Sequence, residues 1–173
     1  PLAYKLVFIL ADLLTLGAVL QLLRRRGLSL AFSGFYALNP TVLLAYAGEA
    51  HFDSLMVAAL MWALCAHRAG RRQWAVALAS VATGVKWIAL PLIPFFAGKR
   101  LVVGGLVALA VLSLPALYFK DSLGDLLQAL FAFGGTRSFN GLFYDLLLRA
   151  ADFSRSLCSW IVMALFALVI LWR

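Results

Sequence analysis

Long apolar stretches, each closed by a short polar or basic break, run through the chain and predict membrane-spanning helices. Residues 4–23 (YKLVFILADLLTLGAVLQLL) form the first, ending at Arg24, Arg25 and Arg26. Residues 28–48 form a second, interrupted at Asn39-Pro40, where proline removes a backbone donor and favours a kink. Residues 53–67 (DSLMVAALMWALCAH) form a third, followed by the basic turn RAGRR. These windows approach the ~20 residues that a helix needs to cross the hydrocarbon core.

Residues 73–97 (QWAVALASVATGVKWIALPLIPFFA) break the pattern with Gly84, Lys86, Pro91 and Pro94. An intramembrane lysine is costly and points to a cavity or a charged partner. A single span and a hairpin of half-helices, 73–84 and 86–97, both fit the length. The hairpin is preferred because Lys99-Arg100 directly abut the next apolar run, 101–119, and because residues 120–156 balance their basic groups with acids. Broken helices at membrane depth are tolerated where they line a cavity or are covered by protein. Residues 120–156 read as two amphipathic helices around a GGTRSFNG loop, with Leu123, Leu126, Leu127, Leu130 and Phe131 at helical spacing. Such helices lie in the membrane interface, and residues 157–172 supply a last apolar run. The expected fold is all-α: a polytopic membrane helical bundle with broken, half-spanning and interfacial amphipathic helices, forming one membrane domain over 1–173. The opening Pro1 and the abrupt closing LVILWR lead us to expect a piece of a larger membrane protein, cut at both ends.

Composition agrees with that class. The 173 residues are 65% hydrophobic and 13% charged, with a mean hydropathy of +0.99, where a soluble domain carries about 25% charged residues. The net charge of +8 reads as basic loops meeting anionic lipid headgroups and setting orientation, with no nucleic acid partner. Arg24 to Arg26 and Arg68 to Arg72 then mark the cytoplasmic side, so the GEAHFD turn faces outward. A multi-pass protein with an outward-facing site results, and the Ala-, Leu- and Arg-rich composition suggests a bacterial cytoplasmic membrane. Cys65 and Cys158 lie inside apolar runs as small hydrophobes, with no disulfide or metal spacing.

Candidate chemistry concentrates in the outward turn. Glu49, His51 and Asp53 occupy five residues between two apolar stretches, and in the hairpin topology Lys86 reaches toward the same leaflet. Every acidic residue except Asp12 falls on that side: Glu49, Asp53, Asp121, Asp125, Asp145 and Asp152. A carboxylate takes a proton from a hydroxyl, and a cation stabilises a phosphate leaving group. Plainer roles stand beside these. Asp53 suits an N-cap for the following helix, Glu49 and His51 suit a solvated loop, and Lys86 can snorkel. Asp12 suits a pairing with another helix. His51-x-Asp53 offers two ligands without a third, so no metal site is assigned and no cofactor is certain; a divalent cation stays open.

In order along the chain, FYALNPTVLLAYAGEAHFDSLMVAALMWAL, VATGVKWIALPLIPFFAGKR and RSFNGLFYDLL resemble segments of GT-C-type integral-membrane glycosyltransferases, most closely polyprenyl-phosphate-mannose-dependent mannosyltransferases. The likeness covers most of residues 4–150. It implies a partial GT-C-like fold and transfer of a sugar, mannose here, from a polyprenyl-phosphate carrier to an acceptor hydroxyl on the non-cytoplasmic face, usually with inversion. The acceptor is a glycan, glycolipid or protein, and membrane lipids are further partners. By position Lys86 matches the phosphate-side lysine, with Arg137 as a second phosphate contact. His51 and Asp53 match the acidic turn as catalytic residues, while Glu49 and Asn140 bind substrate. The family's principal catalytic Asp lies in a large outer loop after the first helix, a region expected before Pro1. Asp53 is therefore either the base or an acceptor-pocket residue. Two rival readings are a secondary transporter with Asp12, Asp53 and Lys86 coupling protons, and a non-catalytic subunit in which Lys86 and Asp53 merely pair.

Overall fold

In the computed structural model, which describes residues 2–122 together with 124, 125, 128, 157, 158, 160, 161, 164, 165 and 168, helix α1 runs unbroken over Leu2–Arg25. Its 24 residues extend about 36 Å, enough for a hydrocarbon core of ~30 Å. Phe8, Ala11, Thr15 and Ala18 recur at three- and four-residue steps and are buried, while Leu6, Val7, Leu10, Leu13 and Leu14 are exposed. Apart from Phe8, small residues thus face the protein and large apolar ones face outward. That inversion suits a membrane, where lipid is as apolar as leucine and helices associate by close approach.

Helix α4 (Asp53–Arg68) continues the rule by burying Ser54, Ala58, Ala59, Ala63 and Cys65. It packs on α1 through the Trp62 indole N–H, which donates to the Leu14 carbonyl at 3.0 Å, and the Cys65 thiol, 3.7 Å from the Ala18 carbonyl. Contact numbers rise together on both helices, so α1 and α4 run parallel. The chain between them must return along their length. It does so in short pieces: a 3-10 turn, Leu30–Ser33, capped by Ser29; α2, Gly34–Ala37; and α3, Pro40–Val42. Asn39 caps α3 by accepting the Thr41 N–H at 2.9 Å, and Pro40 sits in the first turn, where its missing N–H costs nothing. A π-helical turn, Leu43–Gly48, follows. Where the sequence suggests one kinked span, the Asn-Pro step resets the backbone and leaves a string of turns.

Helix α5 (Arg72–Val85) buries Ala75, Val76, Ala79, Ser80, Ala82 and Thr83. It ends at Lys86, whose extended backbone (φ −152°, ψ 125°) admits no further helix. A 3-10 turn, Trp87–Ala89, and α6, Leu92–Ala97, bring the chain back. Ile93, Phe96 and Ala97 join Ala63, Ala75, Val76 and Ala79 in one core cluster. His67, at the foot of α4, packs between the Phe95 and Phe96 rings at 5.4 and 5.6 Å. Gly98 then turns with φ +57° and ψ −133°, and a Cβ there would lie 3.2 Å from Arg72 Nη1. Gly98→Ala is expected to cost about 1–3 kcal/mol through this backbone strain, read as a lower unfolding midpoint in detergent; an unchanged midpoint would show that the turn relaxes freely.

Helix α7 (Leu101–Tyr118) carries Pro115 within it and is followed by a 3-10 turn, Lys120–Ser122. Among the described residues there are seven α-helices and no strand. Two of them, over Ala3–Arg25 and Leu101–Tyr118, are long and apolar enough to cross a membrane. The chain divides into two compact units, Pro1–Ser113 and Leu114–Arg173. The GEAHFD turn, Lys86 and the arginine-rich turns all belong to the first unit. Leu123, Leu126, Leu127, Leu130 and Phe131, expected on an amphipathic face, lie outside the described residues.

Candidate functional site

The turn between the π-helical segment and α4 is built from unusual backbone. The Glu49 N–H donates to the Leu44 carbonyl, and the His51 N–H reaches the Ala45 carbonyl at 3.0 Å, six residues back. Closing so wide a loop requires a left-handed residue, and Ala50 takes φ +58° while almost fully buried. A non-glycine residue in this conformation is held there by its surroundings. The Lys5 ammonium adds to that hold from α1 by donating to the Gly48 carbonyl at 2.8 Å. These contacts fix His51, Phe52 and Asp53 at the head of α4.

Asp53 is the first residue of α4, and no side chain caps the helix at Phe52. Its carboxylate turns instead to Lys86, whose Nζ donates to Oδ1 at 2.9 Å and Oδ2 at 3.0 Å. The capping role that the sequence allows for Asp53 is thus replaced by an ion pair across 33 residues. Position still helps, since a carboxylate in the first turn is stabilised by the positive end of the helix dipole. Snorkelling alone does not describe Lys86 either: its ammonium meets a carboxylate, and Phe52 lies below it, 5.7 Å from ring centroid to Nζ. An ammonium has three N–H donors and Asp53 engages it at two oxygens. Lys86 and Asp53 side chains are 46% and 24% exposed, so the pair is open to a ligand.

His51 stacks on Phe52 with ring centroids 5.0 Å apart. Its Nδ1 lies 3.4 Å from the Asp53 N–H and 3.5 Å from Asp53 Oδ2. Both contacts cannot be hydrogen bonds at once. With a lone pair on Nδ1 the ring accepts the N–H and presents Nε2–H outward. With a proton on Nδ1 it faces the carboxylate, and in the neutral form Nε2 then becomes an acceptor. The second arrangement is that of a base oriented by a carboxylate.

Glu49 lies on the same turn, exposed, and its carboxylate makes no ion pair among the described residues. Arg137 and Asn140 lie outside the described residues. Among the described residues no three His, Cys, Asp or Glu side chains converge as a metal-binding group. Asp12 accepts a 2.5 Å hydrogen bond from the Tyr36 hydroxyl, a pairing between α1 and the returning chain. Tyr46 lies within electrostatic reach of both Asp53 and Asp12. Lys5, Tyr36, Tyr46 and Phe52 do not stand out in the sequence. For Phe52 the available signal was its place inside the HFD triplet; for Lys5 it was a lone cation in an apolar helix.

A cation, two proton-handling groups and an open approach at the end of an apolar bundle suit group transfer at a membrane. A model of the MptA/B family, described as alpha-(1->6)-mannopyranosyltransferase, N-terminal domain, matches residues 1–102, more than half of the chain. No curated protein and no solved structure matches it. The matched region takes in the whole Asp53–Lys86 arrangement and ends at the start of α7. The chain belongs to the alpha-(1->6)-mannopyranosyltransferase family and is a membrane mannosyltransferase.

Proposed function

We propose that the enzyme takes mannose from a polyprenyl-phosphate carrier and transfers it to an acceptor hydroxyl on the non-cytoplasmic face, with the Asp53–Lys86 pair at the reacting end. The observation that carries this reading is the half-open ion pair, in which Asp53 holds Lys86 in place while a side of the ammonium stays accessible. Such a lysine is oriented before a phosphate arrives, which removes a rotamer cost from binding. Among the proposed roles, Lys86, joined by Arg137, holds the donor phosphate. Asp53 and His51 receive the acceptor proton, and Glu49 and Asn140 bind sugar or acceptor hydroxyls.

The bookkeeping of the step is simple. The acceptor oxygen bonds to the anomeric carbon as its proton passes to Asp53 or His51. The bond from that carbon to the phosphate oxygen breaks, and its electron pair leaves on the carrier phosphate beside Lys86. Glycan, glycolipid and protein hydroxyls all satisfy this chemistry as acceptors. The outward direction of the site, and a multi-pass bacterial membrane setting, rest on the arginines at the far ends of α1 and α4 and on the preference of such clusters for the cytoplasm. GT-C-like architecture is part of the same proposal.

The donor is tested with membranes containing the enzyme, a crude acceptor extract and one of two radiolabelled donors. Label is expected to move from polyprenyl-phosphate-mannose and not from nucleotide-linked mannose. Transfer from the nucleotide donor alone would overturn the carrier assignment while leaving the family intact.

A further inference from the structure

At the other end of α4 and α5, the turn joining them and the turn joining α6 to α7 border an open cavity of about 540 Å³. Its lining includes Arg71, Arg72, Trp74, Ala97, Arg100 and Val103. Three arginines therefore line one space, and among the described residues none of them is paired with a carboxylate. The cavity is a built feature. Gly98 leaves the room in which the Arg72 guanidinium rests. Gly104 packs so closely on Ala97 that α6 and α7 form a continuous wall. α4 has 16 residues, about 24 Å of helix, so this cavity is remote from Asp53 and Lys86 and has no part in the transfer step.

Its chemistry is amphipathic. Guanidinium groups form planar, multidentate hydrogen bonds to phosphate. Beside them Trp74, Leu101, Val102 and Val103 are exposed as an apolar flank. Trp is favoured at headgroup level, and basic pockets between helices hold anionic headgroups. A free anion needs the arginines alone, whereas a phospholipid uses arginines and flank together.

We propose that this cavity binds the phosphate of an anionic phospholipid headgroup, with its acyl chains lying along the start of α7. The ligand is a second lipid phosphate, distinct from the donor, held at the arginine-rich end of the enzyme.

The test uses the purified enzyme in detergent micelles and native mass spectrometry. Short-chain phosphatidylglycerol, short-chain phosphatidylcholine and inorganic phosphate are titrated separately. Two variants carry equal charge loss: Arg71→Gln/Arg72→Gln/Arg100→Gln in the cavity, and Arg24→Gln/Arg25→Gln/Arg26→Gln at the end of α1. All six side chains are exposed, and retained mannosyl transfer checks that each variant is folded. At roughly 1 kcal/mol per basic residue, the cavity variant is expected to bind phosphatidylglycerol about a hundredfold more weakly. The α1 variant should bind like wild type, and phosphatidylcholine should bind weakly to all three. Inorganic phosphate binding as tightly as phosphatidylglycerol would keep the anion site and overturn the lipid as its source. Equal weakening in both variants would reduce the effect to general surface charge and overturn the cavity. Absence of phosphatidylglycerol binding to the wild type would overturn the proposal outright.

Discussion

Asp53→Asn and Lys86→Ala are each expected to lower mannosyl transfer by about 10²–10⁴-fold, the range for removing a positioned acid–base group or its electrostatic partner. Loss of activity alone does not separate chemistry from support, because either change strands the other member of a bidentate pair. The charge-reversed double variant, Asp53→Lys/Lys86→Asp, does separate them. It can re-form an ion pair between the same two positions, and its unfolding midpoint should recover toward wild type. Its transfer rate should stay low, since the cation would now sit at the head of α4 and the carboxylate at the end of α5. Recovery of both midpoint and rate would make the pair a strut, as in the reading of a non-catalytic subunit. Wild-type rates in both single variants would remove this pair from the proposed site altogether.

Gly104→Ala is the second large effect. A Cβ at Gly104 would lie 2.5 Å from the Ala97 Cβ and 3.5 Å from its Cα. Ala97 has no rotamer through which to retreat, so α6 and α7 must part. Overpacking of this kind typically costs about 1–3 kcal/mol, and the thermal midpoint in detergent should fall accordingly. The double variant Ala97→Gly/Gly104→Ala keeps one methyl in the contact and should regain most of the loss. A Gly104→Ala protein as stable as wild type, or a double variant no better than the single, would show that the helices do not meet so closely. Transfer per folded molecule should hardly change, since the contact lies at the arginine-rich end.

The all-α character was legible because apolar runs of helical length need no long-range information. The broken helix was legible too, in Gly84, Lys86, Pro91 and Pro94, each of which disturbs an ordinary span. Which side chains meet was much less so. Asp53 reads locally as a helix cap, and only the return of the chain at Lys86 gives its carboxylate a better partner. Asp12 announces itself as a group in need of a partner, yet nothing in sequence nominates the Tyr36 hydroxyl. The left-handed backbone at Ala50 was invisible, since turn logic looks for glycine or asparagine at such positions. Helix packing was also illegible by soluble rules, because alanine, serine and threonine take the interior while leucine lines the outside.

The π-helical turn and Ala50 together make the stretch before Asp53 a matter of counting. The His51 N–H closes on a carbonyl six residues back, so the path from Leu43 to the head of α4 has a set number of steps. One residue added or removed there rotates the head of α4 by about 100°, enough to swing the Asp53 carboxylate away from Lys86. A side-chain replacement on the outer face of the same turn leaves the aim untouched. Substitution is therefore an open route for divergence in this stretch, and insertion or deletion is a closed one.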